Sequence, residues 1–412
     1  MIAADRAARR VIFAALRRLE GGRLTIVEGA RRTTFGVDRA DSYGRAPVDC
    51  VIRVNDRRVY RRVLRESSVG LGVSFAEGWW ETDDLTETLR LLSRNVRRAD
   101  PLLGRIRSLT GPVADPIRAL RPADRERDRI NIGAHYDQGN EFFALFLDPT
   151  MMYSCAIFPH SASTLEEASV EKLEQICRRA QLSAEDHVLE IGTGWGGFAV
   201  HAASLYGCRV TTTTISREQY EFATERVREA GLEDLVTVLF EHYRDLDGQF
   251  DKLVSIEMIE AVDWREYDDF FASCARLLKP NGLCTLQAIT VPGQRFERSK
   301  NVQDFIKAVI FPGGCLPSVE AILSSTARAT DFDLIDLDDI GLHYAETLRR
   351  WRSALLANRD KLEQLGFDDV AARVWEFYFC YCEAGFDERV ISDVQLVLAR
   401  PGFVASSSPE GP

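Results

Sequence analysis

Val188-Leu189-Glu190-Ile191-Gly192-Thr193-Gly194-Trp195-Gly196-Gly197 decides the reading of this chain. An apolar run ending in an acid meets glycines at 192, 194 and 196, and a helical pattern follows at 197–206. Glycines at that spacing let the backbone turn tightly and approach a ligand closely. The helix start behind them offers free N–H groups and the positive end of a dipole. Outward from this loop, strands fit 187–191, 208–214, 236–240, 251–256 and 282–288, and helices fit 165–181, 197–206, 217–231 and 264–278. Such βα alternation predicts a parallel sheet covered by helices on both faces. Two later β-type runs, 331–340 and 390–398, fit an antiparallel edge, with 290–330 and 345–386 as insertions over one end of the sheet.

A nicotinamide-binding loop competes for the glycine motif, but its spacing is GxGxxG and it wants an acid about 20 residues later. Here that region reads Thr211-Thr212-Thr213-Thr214-Ile215-Ser216, without an acid. GxGxG after an acidic residue fits S-adenosyl-L-methionine (SAM) instead. The expected fold is α/β: a Rossmann-like class I SAM methyltransferase sheet with helical insertions, plus a smaller N-terminal α+β domain.

The 412 residues are 45% hydrophobic and 28% charged, ordinary for a globular protein and far from a disordered chain or a coiled-coil rod. No apolar run approaches the ~18 residues of a spanning helix. The stretch Val11–Leu16 is too short for a signal-peptide core. Nine scattered cysteines without a CxxC pair read as reduced thiols, not a disulfide framework or zinc site. The net charge of −11 is uneven: residues 1–130 hold 27 arginines against 18 acids, so everything after them is strongly acidic. An arginine-rich segment suits an anionic surface. The alternative is a solvated face. Nucleic acid is disfavoured as partner, because the acidic remainder would repel a polyanion, so an RNA methyltransferase is a remote reading.

The expected domains are a basic lipid-docking unit at 1–96, a linker at 97–130, a catalytic domain at 131–402 and a disordered tail at 403–412. The first 20 residues form an amphipathic helix, lying on a membrane or opening a domain. Asp83 or Asp84 caps a helix running through Leu92. Trp79 and Trp80 are core or a lipid-facing pair. Phe305, Phe311, Trp351, Trp375, Phe377, Tyr378, Phe379 and Tyr381 line an acyl channel or form core.

The segments EGWWETDDL (77–85), HYDQGNEFF (135–143), DPTMMYSCAIF (148–158), VLEIGTGWGG (188–197), EMIEAV (257–262), IFPGGCLPS (310–318), GLHYAETLRRW (341–351) and CEAGF (382–386) together resemble the cyclopropane-fatty-acid synthase family. The resemblance implies methyl transfer from SAM to the cis double bond of an unsaturated phospholipid acyl chain, giving a cyclopropane. An alkene is a weak nucleophile that no base can activate, so proximity and a dry pocket must carry the reaction. The cation that results loses a proton. The resemblance implies that a bound bicarbonate takes it, held by Cys155, Glu260, Gln287, Ile289 and Tyr344, with Glu260 accepting from the bicarbonate hydroxyl. It implies a SAM cradle of Tyr153, Ser154, Glu190, Gly192, Thr193, Gly194, Trp195, Gly196, Thr214, Ile215, Gln219, Tyr243 and Arg244. Cys382 matches a cysteine counted as catalytic in the family, yet alkene methylation needs no thiolate, and a structural role is the better reading. His135 and Tyr136 contact ligand or are structural.

Many relatives carry His at the positions of Gln287 and Ala261. Gln can donate to an oxygen but cannot share a proton. Gln287 and EMIEAV also resemble the plant-type cyclopropane synthases and the actinobacterial branch that makes methylene- or methyl-branched chains. A ring and an exocyclic methylene diverge only after the shared cation. The resemblance further implies a cytoplasmic enzyme, peripheral to the inner membrane face, and a homodimer.

Overall fold

The computed structural model describes residues 3–95 and 139–404. The expected linker, His135, Tyr136 and the tail beyond 404 lie outside the described residues. The chain divides into two compact units that are not contiguous in sequence. Among the described residues, 3–95 are grouped with 301–312 and 345–391, and the second unit holds 139–300, 313–344 and 392–404. The sequence reading had placed 301–312 and 345–391 with the catalytic domain.

In the first unit the amphipathic helix α1 (Ala3–Leu16) opens a domain, burying Ala8 and Phe13. The Phe13 ring meets Phe35 edge-on at 4.8 Å. Strands β1 (Gly22–Glu28), β2 (Arg31–Val37), β3 (Val48–Val54) and β4 (Trp80–Thr82) form a sheet in the order β2-β1-β3-β4. Trp80 is core, 1% exposed, with its indole N–H donated to the Leu71 carbonyl at 3.1 Å. The Arg58 and Arg62 guanidiniums lie over the Trp79 ring at 4.6 and 4.9 Å. Asp84, not Asp83, caps the following helix through the Glu87 N–H at 2.9 Å. Many arginines here are held in ion pairs, among them Arg9–Glu28, Arg23–Asp49 and Arg53–Asp83.

The aromatics of the two later segments pack on one another: Phe305 on Phe377 at 4.7 Å and Trp375 on Tyr378 at 5.5 Å. Phe305, Trp351, Trp375, Phe377, Tyr378 and Phe379 are buried within the first unit, while Phe311 and Tyr381 are half-buried. Gly72 belongs to this packing, since a Cβ there would lie 2.4 Å from the Phe305 ring and 2.7 Å from Phe377.

The second unit carries the expected sheet. Strands β5 (His187–Ile191), β6 (Arg209–Thr213), β7 (Val236–Leu239), β8 (Phe250–Ile256), β9 (Leu278–Thr290), β10 (Asp333–Asp339) and β11 (Ser392–Ala399) run in the order β10-β11-β9-β8-β5-β6-β7. The five from β7 to β9 are parallel neighbours, while β11 lies antiparallel to both β9 and β10. One face is covered by apolar side chains of the helices Leu165–Arg179 and Gly197–Tyr206, including Leu173, Ile176, Phe198 and Ala202. No described helix is long and apolar enough to cross a membrane.

Candidate active site

The strand order reverses beside β5, and the loops at its carboxyl end form the crevice where open α/β sheets bind ligands. Gly192, Gly194 and Gly196 all have positive φ, at 103°, 52° and 80°. The Gly192 and Thr193 N–H groups both reach the Thr213 carbonyl at 3.1 Å, which fixes the loop against β6. Trp195 is locked by its N–H to Asn140 at 2.7 Å and by the Phe143 ring at 4.9 Å. After β6, Thr214 donates to Gln219 at 2.9 Å, and Ser216 caps the helix Arg217–Glu229. Ile215 beside them is half-buried. Tyr243 is buried with its hydroxyl facing the Arg244 guanidinium, and Arg244 pairs with Glu266 at 2.8 Å. Tyr153 packs on Phe143 at 5.3 Å. Glu190 is 2% exposed, and its Oε2 has no hydrogen-bond partner among the described residues.

This set fits SAM: Glu190 Oε2, a buried acceptor that no described residue meets, stands at the end of β5 just before the glycine loop, as the ammonium and hydroxyl groups of such a ligand require. SAM supplies an electrophilic methyl on a sulfonium.

Beyond the loop lies a cluster of buried ionisable groups. Ser154 accepts from Lys172 Nζ at 2.9 Å. Lys172 is fully buried, and desolvation pulls its ammonium down to about 8. Glu257 follows β8 with φ +49°, a left-handed conformation that is costly for a residue with a Cβ and common at functional sites. Its carboxylate gathers three donors: the Cys155 N–H at 2.8 Å, the Gln287 amide at 2.7 Å and the Tyr344 hydroxyl at 2.7 Å. The Gln287 amide also reaches Asp393 at 2.9 Å, while its oxygen accepts from Gln395 at 3.1 Å. Asp393 is fully buried and in hydrogen-bond contact with Glu257. Two carboxylates cannot share such a contact unless one is protonated. Burial raises both acids; the charge and hydrogen bond of Glu257 push Asp393 up further, while the contacts from Cys155, Tyr344 and Asp393 pull Glu257 back down, so the shared proton favours Asp393.

Glu260 stands on the 3-10 turn Ile259–Ala261. Its Oε1 accepts from the Ile289 N–H at 2.5 Å, and its Oε2 is buried without a partner among the described residues. Burial and the charge of Glu257 raise its acid to about 8.

The structure thus brings Cys155, Glu260, Gln287, Ile289 and Tyr344 together around Glu257, which the sequence reading did not single out. It likewise missed Lys172 and Asp393. Cys382 lies in the first unit, where burial and Asp304 push its thiol up and away from reactivity. The expected bicarbonate does not fit the arrangement. The donors expected to hold it are already committed, those of Cys155, Gln287 and Tyr344 to Glu257 and that of Ile289 to Glu260.

A family model described as mycolic acid cyclopropane synthetase matches residues 123–396. Tuberculostearic acid methyltransferase UfaA1 of Mycobacterium tuberculosis is 41% identical over 83% of this chain and 81% of its own. Cyclopropane-fatty-acyl-phospholipid synthase of Escherichia coli is 38% identical over 87% of this chain and 89% of its own. Among solved structures, mycolic acid cyclopropane synthase CmaA1 complexed with SAH and CTAB superposes with a TM-score of 0.61 at 31% identity, covering 66% of this chain and 98% of that one. With a seven-stranded sheet, a glycine loop and these relatives, the chain belongs to the mycolic acid cyclopropane synthetase family, whose members transfer methyl groups from SAM to lipid acyl chains.

Proposed function

We propose that this enzyme methylates the cis double bond of an unsaturated acyl chain in a membrane phospholipid and closes a cyclopropane ring. The observation that carries the reading is the acid-rich cluster beside the glycine loop. Glu190, Glu257, Glu260 and Asp393 are desolvated there, with Lys172 as the cation they share the site with. Glu257, together with Glu190 and Glu260 as they ionise, favours a cationic cosubstrate and a substrate that turns cationic as it reacts. A second ending, in which a hydride shift precedes proton loss and leaves an exocyclic methylene, is favoured by the 41% identity to the tuberculostearic acid relative.

Expression in a bacterial host fed labelled methionine tests the reading. Acyl chains should gain 14 mass units, and fragmentation should separate ring from methylene. SAM-binding protein without labelled acyl chains would overturn it.

The arginine-rich N-terminal unit docks the enzyme on anionic headgroups in this reading. Arg10, Arg17, Arg18, Arg31 and Arg32 are exposed, and each arginine near such a surface contributes about 1 kcal/mol. Binding to vesicles containing anionic lipid should weaken steeply with salt.

SAM affinity should depend on pH. Burial raises Glu190 and Glu260 to about 8, so in the free enzyme both are neutral at pH 6. Seating a cation beside Glu190 must then expel its proton. Affinity should rise by up to about tenfold per pH unit from 6 to 8 and flatten above. The free enzyme behaves in the opposite sense. Its native acids hold protons that the unfolded chain releases above about 4.5, so it loses stability as pH rises through 8. Lys172, lowered to about 8, works the other way and returns stability between 8 and about 10.5. Calorimetry at pH 6, 7 and 8 reads the effect as proton release on binding. A pH-independent affinity would remove Glu190 from the cradle.

A further inference from the structure

We infer that Glu257 is this enzyme's own proton acceptor, a carboxylate built into the chain at the place where the resemblance puts a bicarbonate. The inference rests on the alkene-methylation reading and deepens it. Bicarbonate and a glutamate side chain present the same planar pair of oxygens. The donors assigned to the ion are the Cys155 backbone, Gln287 and Tyr344, and all three converge on the Glu257 carboxylate within 2.8 Å. A second anion in the same nest would meet Glu257, Glu260 and Asp393 with no donor left from this set.

Two further observations support a reacting role. Glu257 is held in a left-handed conformation, which the chain keeps although glycine would adopt it without cost. It also retains some accessible surface, as do Met258, Glu260 and Ile289 beside it, while Gln287, Asp393 and Gln395 behind it are sealed. The desolvated carboxylate is therefore backed by its donors, and the residues with remaining surface all lie on the Met258–Glu260–Ile289 side.

The step balances without a co-reactant. The alkene π pair forms the new carbon–carbon bond as the methyl–sulfur bond breaks with its electrons going to sulfur. The neighbouring carbon is left cationic. Glu257 takes one proton from the added methyl, and the freed C–H pair closes the ring; after a hydride shift the same transfer leaves a double bond. Glu257 ends as a neutral acid and returns the proton to water once the product has gone. Asp393, protonated and facing Glu257, keeps the site from carrying two adjacent anions. Lys172, Glu260, Cys155 and Tyr344 are the other titratable groups that face it.

The test uses the full-length enzyme with SAM and vesicles of unsaturated phospholipid. Activity of the unaltered enzyme should be the same in buffer purged of carbon dioxide as with millimolar bicarbonate. E257Q should bind SAM normally and lose turnover by a hundredfold or more. E257G, which suits the backbone at φ +49°, frees the three donors; its residual activity should rise severalfold with added bicarbonate or formate and saturate. A parent enzyme that loses activity on bicarbonate removal and regains it on addition would overturn the inference while leaving the methylation reading intact. So would near-normal turnover by E257Q. If the parent enzyme methylates no lipid under any condition, it is the underlying reading that fails. The parent measurement decides even if a variant does not fold.

Discussion

Glutamine in place of Glu260 leaves SAM binding within about threefold and cuts turnover by on the order of a hundred- to a thousandfold. The substitution is nearly isosteric, and the local fold has reasons to survive it. The 3-10 turn that carries Glu260 is pinned from outside the side chain: the Glu260 carbonyl accepts from the Cys315 N–H at 2.7 Å, and Tyr267 donates to the Cys315 carbonyl at 2.8 Å. A glutamine oxygen can still accept from the Ile289 N–H, which now reaches Oε1 at 2.5 Å. What disappears is the charge that Glu260 carries once its acid ionises, above about 8, so the full effect is read above that pH. A full charge at ~5 Å from a cation is worth about 3 kcal/mol at an effective dielectric of ~20, which is about two orders of magnitude in rate. The ground-state alkene is neutral and gains nothing from that charge, so the loss falls on kcat and not on lipid binding. Single-turnover rates with a fixed vesicle composition, alongside a SAM titration, separate the two. Unchanged turnover would place Glu260 outside the reacting centre, as a buried acid whose role is to hold Ile289.

The parts of this site that were legible in sequence are those written in backbone chemistry. Gly192, Gly194 and Gly196 announce a turn that only glycine makes easily, and the apolar runs around them have the lengths of buried strands. Even the antiparallel pairing of the runs at 331–340 and 390–398 could be read, although β11 proved to lie inside the sheet, between β9 and the edge strand β10. Glu257 was not legible because its importance is a conformation: nothing in EMIEAV says that the first acid takes a left-handed turn and collects donors from residues 155, 287 and 344. Two weaker signals were present. Two acids three residues apart at the end of a buried strand are unusual, because desolvation penalises them. Asp393 and Gln395 alternate within an otherwise apolar strand, which places two polar groups on one face with Gln287 opposite. Lys172 gave no signal, since lysine in an amphipathic helix ordinarily marks the solvent face. The unit boundary was illegible for another reason: the segments 301–312 and 345–391 follow the catalytic motifs in sequence but find their packing partners in the first 95 residues.

Alanine in place of Glu388 should destabilise the first unit by about 3 kcal/mol, read as a lower denaturant midpoint at unchanged slope, with SAM affinity unaltered. Glu388 follows the helix Asp369–Asp387 as its C-cap, where the helix dipole opposes a negative charge. Its side chain is nevertheless only 1% exposed. Three arginines outweigh the dipole: Arg45 at 2.6 Å, Arg90 at 2.9 Å and Arg94 at 2.9 Å. Arg45 lies 343 residues away in sequence, so this one carboxylate ties the late segment to the loop between β2 and β3. Truncating one member of a buried ion cluster typically costs about 3–5 kcal/mol, because the charges left behind are desolvated and unpaired. The lower end applies here. Arg45 retains Asp41 at 2.6 Å, Arg90 retains Glu87 at 2.5 Å, and Arg94 still donates to the Gly21 and Ala46 carbonyls. Glutamine, which keeps an acceptor, should lose less than alanine. A loss below about 1 kcal/mol would put the cluster in the class of screened surface pairs. The burden of holding the discontinuous unit together would then fall on the aromatic packing of Phe305 and Phe377 against Gly72, where shape rather than charge selects the partner.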